Sequence, residues 1–388
     1  MLLKSWLKIG YLLVMIVFAS QVKAATPSNA ELDDLFAVRG ISYQQDDQRG
    51  GKGGNPHLRE AATIYEGILL YRHRVNDNNA VQGKLVGDKV TAASYDDAKD
   101  KAEIVSGATG NNPGRYELQA GWIQQHDNWG WNASIAESRE YAYISDSLSL
   151  GWNGSFAEQA TQLSLQLTMF DDWVRMIRYD GTHGDDDVRR TVTLNMGWVQ
   201  SLTPESAVQF GWSHTHQEGF LATTFNTVLV ESSVGDADVE WFDFERLPDR
   251  RRRDALSVRY KQAVADDSWQ LGYSYYLDSW DLQGHTLEAR YFAHFNQGRM
   301  QLEPVYRYYR QQAARYFSTT VAAPRTYQTM DSDLGKFDGH STGLTASFAA
   351  ATPGLSHDSW YDIGVQYYNR SDDINFYWFT VGWRYPRQ

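Results

Sequence analysis

The chain has 388 residues, a formal charge of −12 and a mean hydropathy of −0.54. It contains no cysteine but carries 24 Tyr, 14 Trp and 16 Phe. The acidic balance excludes nucleic acid as a partner, and the absence of cysteine removes disulfides, zinc-thiolate sites and covalent haem attachment.

Residues 1–24 have the layout of a secretory signal. Lys4 and Lys8 precede an apolar stretch from Ile9 to Ser20, and Val22-Lys23-Ala24 offers small residues before Ala25. Cleavage there takes away three lysines and no acids, giving a mature charge of −15. Residues 25–61 show no sustained alternation. Glu31–Val38 is expected to form a helical turn or two, and Gly50–Gly54 a flexible linker. This segment is expected to be a periplasmic N-terminal extension, with an inserted plug as the alternative.

From residue 62 to 388 the pattern changes to period-2 alternation. Ile64–Arg74 is the first strand. Leu163, Leu165, Leu167 and Met169 alternate with Ser164, Gln166 and Thr168; Val192–Trp198, Val208–Trp212, Leu256–Tyr260 and Leu302–Tyr308 repeat the scheme. In the last strand Tyr377, Phe379, Val381, Trp383 and Tyr385 share one face, resembling the C-terminal signal that barrels present to the insertion machinery. A soluble sandwich also has one wet face. The number of strands, their length and their aromatic faces favour a membrane barrel, with one face on lipid and the other on water.

Short links around 126–130, 157–161, 202–206, 264–267, 296–298 and 352–358 alternate with longer or irregular ones around 139–146, 171–189, 217–254, 278–284, 312–340 and 369–373. Assigning the short set to the periplasm ends the last strand there and makes the strand at Arg115 run downward. Ile64–Arg74 is then the upward strand before it. The expectation is an all-β, transmembrane, antiparallel up-and-down β-barrel of 14 strands; a hairpin within 84–106 would give 16.

Several phrases resemble one family. They are Leu247-Pro248-Asp249 followed by Arg250–Arg253, Tyr275–Trp280 before His285-Thr286-Leu287-Glu288, and Pro304–Ala314. Ser106–Thr109 and Ser138–Ser145 are weaker members of the set. Together they resemble an uncharacterised family of proteobacterial outer-membrane β-barrels, known as a domain of unknown function. The resemblance covers roughly 60–388. It implies an outer-membrane location and a redox protein of the envelope as a partner. It supplies no catalytic residues.

The lipid-facing phase turns Arg259, Lys261, Glu288, Arg290, Glu303 and Arg307 into the lumen, with Asp278 on the same side at its strand end. Such a cluster is either a selectivity constriction or a salt-bridge network that fixes barrel shape. Arg250–Arg253 would turn alternate guanidiniums to opposite sides. It is a candidate for lipopolysaccharide phosphates or for the acidic loop Asp185–Asp187, and otherwise a solvated loop end. His183 with Asp185–Asp187 has the composition of a cation site without the spacing of a Ca²⁺ loop. His214 and His216 share a face suited to a metal, but also share it with Phe210 and Trp212, which places them at the membrane interface. No metal, cofactor or catalytic residue is assigned. The function expected is a porin-like channel or transport component for a small solute. The alternatives are a non-conducting scaffold for an envelope partner and, less favoured, an outer-membrane enzyme. Outer-membrane lipid and lipopolysaccharide are the expected surroundings.

Overall fold

The computed structural model describes residues 32–48, 61–92, 114–178, 182–234, 237–352, 355 and 358–387. The leader and its cleavage site lie outside them. The strands in chain order are β1 (Asp34–Asp47), β2 (Ala62–Asn76), β3 (Asn79–Ala92), β4 (Gly114–Gln125), β5 (Trp129–Glu140) and β6 (Tyr143–Phe156). They continue as β7 (Thr161–Val174), β8 (Asp187–Thr203), β9 (Ser206–Gly219), β10 (Thr227–Val234), β11 (Ala237–Phe244) and β12 (Arg250–Val264). The last six are β13 (Asp267–Asp278), β14 (Gln283–Phe295), β15 (Met300–Gln311), β16 (Phe337–Ala351), β17 (Asp358–Arg370) and β18 (Ile374–Arg387).

Sixteen of these strands close an antiparallel barrel in chain order, with β12 following β9 and β18 sealing against β1; β10 and β11 form a separate hairpin. Closure leaves no open sheet edge, which a bilayer would not tolerate. Links of two to six residues gather at one end, the turn end. The other, the loop end, carries the long links, such as those between β9 and β12 and between β15 and β16, together with short turns at 141–142, 279–282 and 371–373.

The outer surface follows from the alternation. Val38, Leu69, Leu85 and Leu118 stand in register across β1–β4 and are all exposed. Leu256, Leu271, Leu287 and Leu344 continue this apolar belt. Aromatic pairs flank it. Trp198–Phe210, Tyr260–Trp269 and Phe348–Tyr361 lie toward the turn end. Tyr367–Tyr377, with Tyr273–His285 and Tyr306–His340, lies toward the loop end. An apolar band between two girdles is the exterior that a bilayer selects.

The preferred count of 14 is corrected to 16, and the added strands are not a hairpin within 84–106. One is β3. The other is β1, inside the segment assigned to an N-terminal extension: Asp34–Asp47 is barrel wall, and Asp34–Val38 is extended rather than helical. As β2 neighbours β3 and not β4, it runs in the same direction as β4, opposite to the direction expected. The reason is legible in β1. Phe36 and Val38 face out, but further along Gly40, Ser42 and Gln44 take the outward positions. Ile41 and Tyr43 turn inward, where they are buried. Tyr43 packs there with Ile64 and Val90. A strand whose apolar face switches sides halfway has no single alternation to detect.

Candidate functional site: the lumen wall and the loop-end cap

Strand phase places Arg259 and Lys261 on β12, Glu288 and Arg290 on β14, and Glu303 and Arg307 on β15 on the inner face, opposite exposed Leu256, Leu287 and Tyr306. Arg259, Gly272, Glu288 and Arg307 lie in one register row across β12–β15. Gly272 leaves space there: a methyl group on it would meet the Arg259 Cγ at 3.4 Å and the Glu288 Cβ at 3.9 Å. The ion pairs centre on Arg290. Its Nε donates to Glu288 Oε1 at 2.8 Å and its Nη1 to Glu303 Oε1 at 2.7 Å. Arg307 forms no ion pair among the described residues, and its Nε is buried without a partner. Lys261 sets its ammonium 4.5 Å above the Phe292 ring.

Asp278 faces inward but stands apart from this group, at the loop end. Its carboxylate is fully buried. Oδ1 accepts the backbone N–H groups of Trp280 and Leu282 at 2.9 and 3.0 Å. Oδ2 accepts Arg251 Nε at 2.8 Å and the Tyr276 hydroxyl at 3.0 Å. This saturated acceptor fixes the link from β13 to β14.

A second charged wall is added on β2–β4. Arg115 Nε donates to Asp88 at 2.8 Å and its Nη2 reaches Glu66 at 3.4 Å; Lys84 bonds Glu117 at 2.8 Å. By strand order this wall stands across the barrel from β12–β15. Its signal was the polar phase Glu66, Lys84, Asp88, Arg115, Glu117. The inward Val86 and Val90, also on β3, obscured it. Between the two walls, β5–β9 turn inward neutral side chains such as Asn132, Ser149, Gln166, Thr193, Asn195 and Gln209, none of them fully buried.

The run Arg250–Arg253 does alternate. Arg250 pairs outward with Glu218 at 3.0 Å, and Arg251 reaches inward to Asp278 with its guanidinium 4.2 Å over the Trp280 ring. Arg253 bonds Gln217. In the loop Asp185–Asp187, Asp186 accepts the Met176 N–H at 3.3 Å and Asp187 the Val188 N–H at 2.8 Å. Neither carboxylate meets the arginine run. His214 faces outward in the girdle, where Asp254 Oδ1 lies 2.9 Å from its Nδ1 and accepts the Trp212 indole N–H at 3.1 Å.

The long links fold into a cap. The β10–β11 hairpin packs Val228 on Val321 and Met330 of the link that follows β15. Arg246 and Gln328 exchange backbone hydrogen bonds of 3.0 and 2.7 Å. Buried Glu245 gathers the Thr223 N–H and the Thr329 hydroxyl, each at 2.5 Å. Arg246 also clamps Asp243 at 2.7 Å and holds that carboxyl below the usual range. Leu221, Trp280, Leu282, Ala314 and Leu334 form the second apolar cluster of the cap. The cap rests on inward side chains of the wall. Gln311 of β15 donates to the Asp333 carbonyl at 2.8 Å. Arg370 of β17 bonds Asp333 at 2.8 Å, Asp372 at 2.6 Å and the Ser332 carbonyl at 3.1 Å, over the Phe337 ring at 3.7 Å.

No curated protein matches the chain. Among solved structures, a bacterial polysaccharide outer membrane secretin superposes with a TM-score of 0.49 at 9% identity, over 91% of this chain and 98% of that one. OccD3 (OpdP) of Pseudomonas aeruginosa gives 0.46 at 8% identity, over 91% of each. OccAB1 of Acinetobacter baumannii gives 0.44 at 9% identity, over 94% of this chain and 99% of that one. Likeness at this level says nothing of what the chain does. The model of the family described as "Protein of unknown function (DUF3570)" matches residues 177–378, more than half of the sequence, and the chain belongs to that family.

Proposed function

We propose that the chain is an outer-membrane β-barrel that conducts a small hydrophilic solute. The observation that carries this reading is the contrast between the two faces of the wall. The outside is an apolar belt with aromatic rims, and the inside of β5–β9, below the Arg189–Asp172 pair at the loop end, is a neutral polar surface left partly open. A barrel that only anchored a partner would gain from filling its interior with apolar side chains. Single-channel recording of the refolded protein in a planar bilayer tests it: stepwise ohmic currents are expected, and silence overturns it.

The loop end is read as the outside of the cell. A tag at Thr319 is then detected on intact cells, and one at Glu205 only after permeabilisation. The reverse pattern overturns the orientation.

A second reading is favoured by the cap. A folded layer resting on the inward faces of β12, β13, β15 and β17 suits a non-conducting scaffold that presents its loops to an envelope protein, a redox partner included. Silence in the bilayer together with specific cross-links from the cap to a second envelope protein would support it.

A further inference from the structure

The inward carboxylates do not serve all the inward cations. Arg290 takes both Glu288 and Glu303. Arg259 and Arg307 flank Glu288 in the same register row, and neither forms an ion pair among the described residues. The Nε atoms of Arg253, Arg307 and Arg384 are all buried without a hydrogen-bond partner. These three stand at different depths: Arg253 near the loop end of β12, Arg307 inside β15, and Arg384 near the turn end of β18.

A guanidinium at an inward position without a carboxylate costs stability, and the wall repeats that cost at successive levels. The whole chain is acidic, so a general excess of arginine does not explain it. Guanidinium is planar, stays charged at every working pH, and offers paired N–H groups that match the oxygens of carboxylate, phosphate or sulfate. A series of such groups, each incompletely partnered, lets an anion bind and leave in steps. Across the barrel, the two cations of the β2–β4 wall are held by carboxylates, Arg115 by Asp88 and Glu66 and Lys84 by Glu117, and the uncharged middle of β5–β9 between the walls keeps water beside the path.

We infer that the inner face of β12–β15 is a path for small oxyanions, with Arg259 and Arg307 as its contact residues. This rests on the channel reading above and adds the sign and chemistry of the solute. The test uses the mature full-length chain in a planar bilayer under a potassium chloride gradient. The reversal potential is expected on the chloride side of zero, and inorganic phosphate is expected to reduce the chloride current. The double variant Arg259→Gln/Arg307→Gln should move the reversal potential toward the potassium side and abolish the phosphate block. Arg315→Gln, in the cap link, should leave both unchanged. Cation preference in the wild type, or a preference and block that the double variant retains, overturns the anion path and leaves the channel standing. If the double variant does not insert, the wild-type reversal potential and phosphate block decide. Complete absence of current overturns the channel reading itself, and the path with it.

Discussion

The inward ion pairs fall into two regions that differ in wetness. At the loop end, Arg251–Asp278 and Arg189–Asp172 leave at most 9% of any side chain exposed, and the Arg370 guanidinium is 3% exposed, with its partners Asp333 and Asp372 reaching water at 36% and 24%. Inside the barrel, Arg290 with Glu288 and Glu303 leaves 13–18%, and Lys84–Glu117 about a fifth. The dry set is backed by further hydrogen bonds and aromatic faces: Ser145 on Asp172 at 2.7 Å, Tyr276 on Asp278, Trp280 under Arg251 and Phe337 under Arg370. The wet set consists mostly of charges alone. Desolvated charges that are fully bonded fix geometry, whereas charges beside water tune the field. The loop end is built to hold a cap, and the middle to meet a solute.

Arg370→Ala is expected to show the largest effect. It removes the guanidinium that bonds Asp333, Asp372 and the Ser332 carbonyl, and leaves a gap above Phe337. Water can take over Asp333 and Asp372, which are 36% and 24% exposed, so the loss comes from the buried guanidinium's hydrogen bonds and its packing, ~1.5–3 kcal/mol. Urea unfolding of the detergent-folded barrel should register a loss of that order, with faster proteolysis in 313–336. Adding Asp372→Ala should recover little of it, because water already reaches the orphaned carboxylate. A loss under ~1 kcal/mol, the range of an exposed pair, would erase the contrast between the regions.

Asp278→Asn comes next. The shape is kept, but the amide turns a donor toward groups that already donate: either the Trp280 and Leu282 N–H groups or Arg251 and Tyr276. A buried donor left unsatisfied costs ~1–3 kcal/mol. Trp280 should report this as a red-shifted, more quenchable emission once its ring leaves the cluster. An unchanged accessibility to quencher would refute the role of Asp278 as the anchor of this link.

How much of this was legible in the sequence depends on the strand. β12, β14 and β15 keep one apolar face from end to end, so Arg259, Glu288, Arg290, Glu303 and Arg307 were placed inward by phase alone. Their partners were not, because pairing depends on register and on gaps such as Gly272, which alternation does not encode. β1 and β3 were hidden because apolar residues occupy both faces. The Arg370 hub was out of reach for a different reason. Its partners come from a link with no periodicity, and Asp333 is 37 positions away along the chain.

Arg290→Gln sharpens the comparison from the wet side. It leaves Glu288 and Glu303 without their common partner, yet water reaches all three side chains. The expected loss is about 1 kcal/mol, the upper part of the range for solvated pairs. The current should respond more than the stability: two carboxylates no longer neutralised favour cations, so the reversal potential shifts toward the potassium side. A stability loss as large as that of Arg370→Ala would show that the middle of the barrel is a dry structural core.

The smallest effect is expected from acid at Asp243. This carboxylate lies outside the barrel, on β11, and Arg246 holds it below the usual range through hydrogen bonds of 2.7 and 3.0 Å. The Phe244 N–H and the Gln328 amide add to the shift. A carboxyl depressed in the folded state contributes stability that is complete above its unfolded value, ~3.9, and is lost as pH falls through its folded value. The cap should therefore hold from neutral pH down to about 4 and loosen only below that, at the junction of β11 with the link around Gln328. Hydrogen exchange of the Arg246 and Gln328 backbone amides, which bond each other's carbonyls, reports on that junction directly. After correction for intrinsic exchange rates, their protection should fall in acid in the wild type. In Asp243→Asn it should be weaker at neutral pH and flat across the same range. The barrel amides of β14 and β15 should stay protected throughout. If the junction and the barrel lost protection together, the cap would not be a separable layer and the contrast between loop end and middle would fail at its root.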